Sequence, residues 1–289
     1  MSALREGRLR GARRLRDGHV LYWWLEIIAV VVFYLVYSAI RNANESGATI
    51  AFGHAREIIR VQRALGINVE ETIQDWALGW RPVIVFSNYF YGSLHFVVTA
   101  GAAIFLYRRW PNDYPRWRNT LGVATAIALI GFVAYPLMPP RLLPGSYGFV
   151  DTLQRYPTLW SFNSGAMSRV SNQYAAMPSV HCAWALWCAC VFFPRVRSPW
   201  ARIAAVAYPT MTVAVIVITG NHYLVDAPAG FACLGIGYLV AHRFTRAGRG
   251  EPVLADDAVA SVGASTSASP SSPSPSSPSP SSPSATAPA

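Results

Sequence analysis

Apolar residues gather into six runs, at about residues 20–40, 83–107, 120–138, 178–193, 203–219 and 223–241, separated by polar stretches rich in Arg, Pro and Gly. About 20 apolar residues in helical form span the hydrocarbon core of a bilayer, so the runs are long enough, or nearly so, to cross; 178–193 is the shortest. Backbone polar groups in lipid must pair within their own segment, which makes helices the expected elements. The pattern therefore predicts an all-α, polytopic membrane protein built as a six-transmembrane-helix bundle. The first run follows a basic segment but is a full span, longer than the apolar region of a cleaved signal, and is read as a retained helix.

Between the first two runs the pattern changes. Ile58, Val61, Leu65, Val69, Ile73 and Trp76 recur at helical spacing with charges between them. This predicts an outer amphipathic helical segment of one or two helices on the membrane surface, either shaping lipid access or only packing there. From residue 258 onward the chain is mostly Ser, Pro, Ala and Thr with repeated Ser-Pro, a composition that buries too little apolar surface to order itself. The expected organisation is a basic cytoplasmic tail at 1–19, a membrane domain at 20–245 and a disordered cytoplasmic tail at 246–289.

Composition agrees: 53% of residues are hydrophobic and 13% charged, against about 25% charged in a soluble domain. The net charge is +10, and every basic side chain other than His is an arginine. These arginines lie in short clusters between apolar runs, as in membrane-protein loops, which argues against nucleic acid as a partner. Sixteen of the 24 precede the first run or fall within 108–118, 195–202 and 243–249. The positive-inside rule then puts both termini in the cytoplasm and turns 41–82, 139–177 and 220–222 outward. Cys182, Cys188, Cys190 and Cys233 sit inside apolar runs without metal-ligand spacing and read as packed thiols, so no metal and no cofactor is expected.

The outward stretches carry the reactive side chains: Met138 to Pro144 with Arg141, Met177 to His181, and Thr219 to Asp226. His222 and Asp226 are four apart; on a helix they share a face, and the carboxylate can fix one ring nitrogen and leave the other as nucleophile. A helix-capping or packing pair is the plainer alternative. His181 follows Pro178, which suits a first helical turn whose free N–H groups, with the Ser179 hydroxyl, form a cradle for phosphate oxygens. Its alternative is a buried histidine bonded to backbone. Arg141, held between prolines, can grip two phosphate oxygens or anchor at the headgroups.

Together these groups suit one reaction. His222 attacks phosphorus, Asp226 orients it, His181 protonates the departing oxygen, and Arg141, Ser179 and backbone N–H groups hold the developing charge. The phosphohistidine then passes its group to water or to an alcohol acceptor, with His181 as base. On the second run Asn88, Tyr91, His95 and Thr99 form a polar stripe that either lines a lipid-headgroup pocket, with Tyr223, or bonds between helices.

Pro178-Ser179-Val180-His181 with Gly220-Asn221-His222-Tyr223-xx-Asp226 resembles the type 2 phosphatidic acid phosphatase superfamily, over about residues 81–241. The His-Tyr-xx-Asp form, and Pro139-Pro140-Arg141-Leu142-Leu143 followed by Gly148-Phe149-Val150-Asp151, resemble its inositol-phosphoryltransferase branch, which contains inositol phosphorylceramide synthase. The resemblance implies a six-helix bundle with its site near the membrane surface and the histidine and aspartate roles given above. The chain departs from the phosphatase pattern: it has no lysine for the first signature, reads PSVH for PSGH, and has Val215 and Ile216 at the Ser-Arg positions of the third. Arg141, with Arg169 in reserve, is the expected substitute for the missing arginine.

The leading expectation is a multi-pass cell-membrane phosphotransferase acting on a lipid phosphate, of inositol-phosphate type on the resemblance, with an extracytoplasmic site. A lipid phosphate phosphatase using water is its close rival. A transporter with a His/Asp relay would place these residues near the bilayer midplane and show inverted repeats, which the sequence does not. A non-catalytic scaffold would need none of these side chains for its binding.

Overall fold

The computed structural model describes residues 12–16, 18–43, 47–157 and 173–247. Apart from a short antiparallel pairing of β1 (Arg13–Arg14) with β2 (Val20–Leu21), the described chain is helices and turns. In order these are α1 (Trp23–Ala43), α2 (Ala48–Ala64), α3 (Glu70–Leu78), α4 (Arg81–Tyr89), a π-helical turn (Phe90–Leu94), α5 (His95–Arg109), α6 (Tyr114–Ala134), α7 (Thr152–Arg155), α8 (Val180–Phe192), α9 (Pro199–Ile218) and α10 (Asp226–Ala247).

Four helical stretches are long and apolar enough to cross a membrane: Trp23–Ile40 in α1, Arg81–Arg109 running through α4, the π turn and α5, Tyr114–Ala134, and Pro199–Ile218. The other two expected spans are helical but do not meet that standard. α8 has 13 residues, about 20 Å at 1.5 Å per residue, against a core of about 30 Å. In α10 the apolar character is diluted by Asp226, Pro228, Gly230, Gly235, Gly237 and Arg243. The short helix is also the central one: α8 packs against α5, α6, α9 and α10. Trp187, Cys188 and Val191 on α8 join Leu106, Trp117, Ala124 and Leu234 in the main core.

Where a helix stands relative to this core follows from its sequence. α1 is apolar on nearly every side, and none of its span is buried in the bundle, as befits a helix with lipid over most of its surface; Tyr37 packs against α6. It is tied at one end, where Arg118 Nη1 reaches Glu26 at 2.6 Å and Tyr114 donates to the same carboxylate. α6 ends at Ala134, short of the expected 138, because Pro136, Pro139 and Pro140 follow and the chain turns extended. Leu137 N there donates to Tyr174 O.

α2 and α3 are the expected amphipathic helices, and they cap one end of the bundle. Ala51, Ala55 and Ile59 of α2 pack with Leu137, Met138, Ala176 and Tyr223. Their outer face carries exposed Val61, Leu65, Val69 and Trp76, while Gln62, Glu70 and Gln74 point inward and are buried. The turns after α5 and α8 lie together at one place, joined by the 2.6 Å Arg195–Asp113 ion pair.

Candidate active site

The turn from α9 into α10 is built by its sequence. Gly220 (φ +65°) takes the left-handed position just past α9. Asn221 N then donates to Ile216 O and Gly220 N to Val217 O, closing the helix end in the 6→1 and 5→2 pattern that favours glycine. The chain between Gly220 and Asp226 is thus a turn, not a helix as the four-residue spacing predicted, and α10 begins only at Asp226. The histidine and aspartate meet all the same. Asp226 Oδ2 accepts from Tyr223 N at 2.9 Å and lies 3.2 Å from His222 Nδ1. His222 Nδ1 has a nearer neighbour, the carbonyl of Ala176, at 2.6 Å. Both side chains are buried, Asp226 completely.

The second stretch docks on the first. Ser179 N donates to the Asp226 carbonyl at 3.0 Å, an approach that depends on Gly230, where any Cβ would collide with Ser179 O. Ser179 is the N-cap of α8: its Oγ accepts from Cys182 N at 3.4 Å. This hydroxyl, expected in the phosphate cradle, is wholly buried and takes the N-cap bond of the helix end. Docking brings the His181 ring to the His222 ring, 5.7 Å between centroids and 67° between planes.

Arg141 completes the cluster. Its backbone N donates to Gly220 O, its Nε to Asn221 Oδ1 and its Nη1 to Asp151 Oδ2, each at 2.8 Å. The guanidinium is thereby fixed beside the residue that precedes His222. Asp151 also caps α7, accepting from Leu153 N and Gln154 N through Oδ1. Arg169, the reserve arginine, lies outside the described residues.

The polar stripe on the second run is split. A regular helix advances about 100° per residue, which would align Asn88, Tyr91, His95 and Thr99. The π turn adds a residue to the winding and rotates Asn88 away from His95. Asn88 is buried, its Nδ2 donating to Thr152 O and Tyr156 O while its Oδ1 accepts from the Thr152 hydroxyl. Asn88, expected at the headgroup pocket, thus clamps α7. Thr99 meets Cys188 Sγ at 3.6 Å, an interhelical contact. Tyr91 and His95, by contrast, both lie against His181, each 4.2 Å away.

Tyr223, also expected at a headgroup pocket, is buried, and its hydroxyl donates to Met138 O at 3.0 Å. It forms one wall of a cavity of about 310 Å3 beneath the α2–α3 cap, lined also by Arg63, Asn68, Glu71, Tyr147 and Phe149.

Sequence reasoning passed over the residues that hold the turns. Gln74 donates to Val150 O and Ile218 O and accepts from Val150 N. Glu70 accepts from Leu224 N and Gln62 from Val225 N. Their signal was present in part: Glu70 and Gln74, four apart, share one face of α3, while Gln62 is a polar residue at helical spacing from Ile58 and Leu65 in the apolar stripe. Asn221, which holds Arg141, had no such mark. No group of three or more His, Cys, Asp or Glu among the described residues is placed to hold a metal ion.

Residues 56–240, well over half of the chain, match the family model described as the PAP2 superfamily. No curated protein and no solved structure matches the chain.

Proposed function

We propose that this chain, which belongs to the PAP2 superfamily, is a membrane phosphotransferase that moves a phosphoryl-type group from a lipid phosphate to an alcohol through a phosphohistidine on His222. The observation that carries the reading is the pair of acceptors on His222 Nδ1. A carbonyl can only accept a hydrogen bond, so Ala176 O places the proton on Nδ1 and leaves the lone pair on Nε2. Asp226 Oδ2, on the same nitrogen, faces the positive charge that appears on the ring when Nε2 bonds to phosphorus.

His222 Nε2 attacks phosphorus as the bond to the lipid alkoxide breaks, and His181 gives its proton to that departing oxygen. In the second half, His181 takes a proton from the acceptor hydroxyl as its oxygen attacks phosphorus, and His222 leaves neutral. Arg141, fixed by Asn221 and Asp151, offers its remaining N–H groups to the phosphoryl oxygens. An alcohol acceptor and a transferred group of inositol-phosphate type rest on the resemblance of the Pro139 to Leu143 and Gly148 to Asp151 elements to the inositol-phosphoryltransferase branch; with water as acceptor the same site is a lipid phosphatase. The site opens to the extracytoplasmic side.

The test is to quench the chain with lipid labelled at phosphorus. Acid-labile label on protein is expected in the parent and in His242→Ala, and none in His222→Ala. Label that survives in His222→Ala would overturn the nucleophile. Products formed with and without an added alcohol then separate transfer from hydrolysis.

A further inference from the structure

Two side chains hold the ring of His181, and the reaction scheme gives them no role. Tyr91 lies almost parallel to that ring, 4.2 Å between centroids and 21° between planes. His95 meets it at the same distance and 59°. Behind them Trp184, three residues along α8 from His181, stands 5.8 Å from His95. Its Nε1 donates to Thr125 Oγ1 on α6 at 2.9 Å, so this wall is itself anchored.

Both residues come from the break in the Arg81–Arg109 rod. Tyr91 is the second residue of the π turn and His95 is the first residue of α5. On an unbroken helix Asn88 would share their face. With the π turn, Asn88 clamps α7 while Tyr91 and His95 are delivered to His181. π turns inside α-helices occur often at functional sites, and here the rotation separates a structural residue from two that touch the proposed acid.

We infer that Tyr91 and His95 are positioning residues for His181, and that the π turn is the device that presents them. The inference rests on the assignment of His181 as the proton donor to the departing oxygen. That donor must keep its geometry within about 0.5 Å and 10–20° to act. An imidazole on the first turn of a helix has two free side-chain torsions. Contacts from two rings remove that freedom, because aromatic pairs have preferred offset and edge geometries.

The chemistry supplies a readout that loss of packing alone would not move. As the His222 N–P bond forms and the P–O bond breaks, an alkoxide must leave, and His181 neutralises it with a proton. Such general-acid help contributes about 10²–10⁴-fold. Nitrophenolate is stable enough to leave unprotonated. Tyr91→Ala should therefore slow turnover of the lipid alkyl phosphate by roughly 10–100-fold, a part of that help. It should leave the first-turnover burst of nitrophenolate, from the p-nitrophenyl ester of the same phosphate group, close to the parent rate, because that burst precedes the step in which His181 acts as base. His95→Ala should show the same selective loss, and Tyr91→Phe, which keeps the stacking face, should lose less on the alkyl ester than Tyr91→Ala.

Thermal unfolding of the purified full chain checks that each variant folds; if Tyr91→Ala does not, Tyr91→Leu carries the same comparison. Equal slowing of the first turnover on both esters, or no slowing on the alkyl ester, overturns the inference while leaving a labelled His222 intact. Failure of the parent chain to form labelled His222 from either ester overturns the phosphohistidine scheme and this inference with it.

Discussion

His222 has two acceptors on one nitrogen, and their order of distance matters. Where an aspartate alone sets a histidine's tautomer, its replacement by Asn costs about 10⁴-fold, because the ring settles in the wrong protonation pattern. Here the Ala176 carbonyl is the closer partner, 2.6 Å against 3.2 Å for Asp226 Oδ2, and it fixes the tautomer independently. In the proposed reaction the remaining work for Asp226 is to stabilise the positive ring of the phosphohistidine. Asp226→Asn is thus expected to slow phosphoenzyme formation by about 10²-fold, clearly less than 10⁴. Single-turnover labelling measures it, and a fall of 10⁴-fold would show that the carbonyl does not hold the tautomer. At this scale the sequence spoke through the reactive residues themselves: His181, His222, Asp226 and Arg141 converge in the structure. The Ala176 carbonyl was illegible, because a backbone group carries no residue type, and only the fold brings position 176 beside position 222. Ser179 was legible as a polar residue before a helix, a pattern that fits an N-cap as well as a phosphate cradle, and its buried hydroxyl takes the N-cap bond.

The elements show a different balance. The apolar runs located the helices, since every run contains one, but could not say where each begins. Pro136, Pro139 and Pro140 shorten α6, and the glycine-closed end of α9 delays α10 to Asp226. The amphipathic cap was visible as a stripe, yet its orientation was not. Periodicity gives two faces, and only the neighbours determine which is buried. The buried face of α2 is apolar apart from Gln62, while in α3 Glu70 and Gln74 turn inward, and these polar groups meet backbone groups of the turns that need partners. Gln74 alone serves three of them, the N–H and C=O of Val150 and the C=O of Ile218. Gln74→Leu keeps the volume but leaves those groups buried without partners, at about 1–3 kcal/mol for each that finds no water. The expected loss is roughly 2–4 kcal/mol, read as a lower unfolding midpoint, together with reduced turnover as Arg141 and Asp151 loosen. A chain that unfolds at the parent temperature would mean that the cap does not hold these turns.

On the scale of the whole molecule the chain has two unlike parts by charge and by burial. Arg195 with Asp113, and Arg118 with Glu26, are polar clusters on the connections the sequence assigns to the cytoplasm. The α2–α3 cap, Arg141 and the two histidines belong to the connections assigned to the outside. Between these connections run α1, α5, α6 and α9 with exposed apolar faces, including Val31, Leu35, Val97, Ile130 and Val206, a surface suited to lipid. The orientation of this arrangement decides which leaflet supplies the substrate. Arginine placement predicts that the histidines face outward. Ser146, beside the α2–α3 cap, and Ser198, before α9, are both exposed and on opposite sides of that assignment. The native thiols offer little background, since Cys182, Cys188 and Cys233 are buried and Cys190 is half-buried. On intact cells a membrane-impermeant maleimide should label Ser146→Cys at once and Ser198→Cys only after permeabilisation. The reverse order would put the histidines on the cytoplasmic side, and the lipid phosphate they use would then come from the inner leaflet.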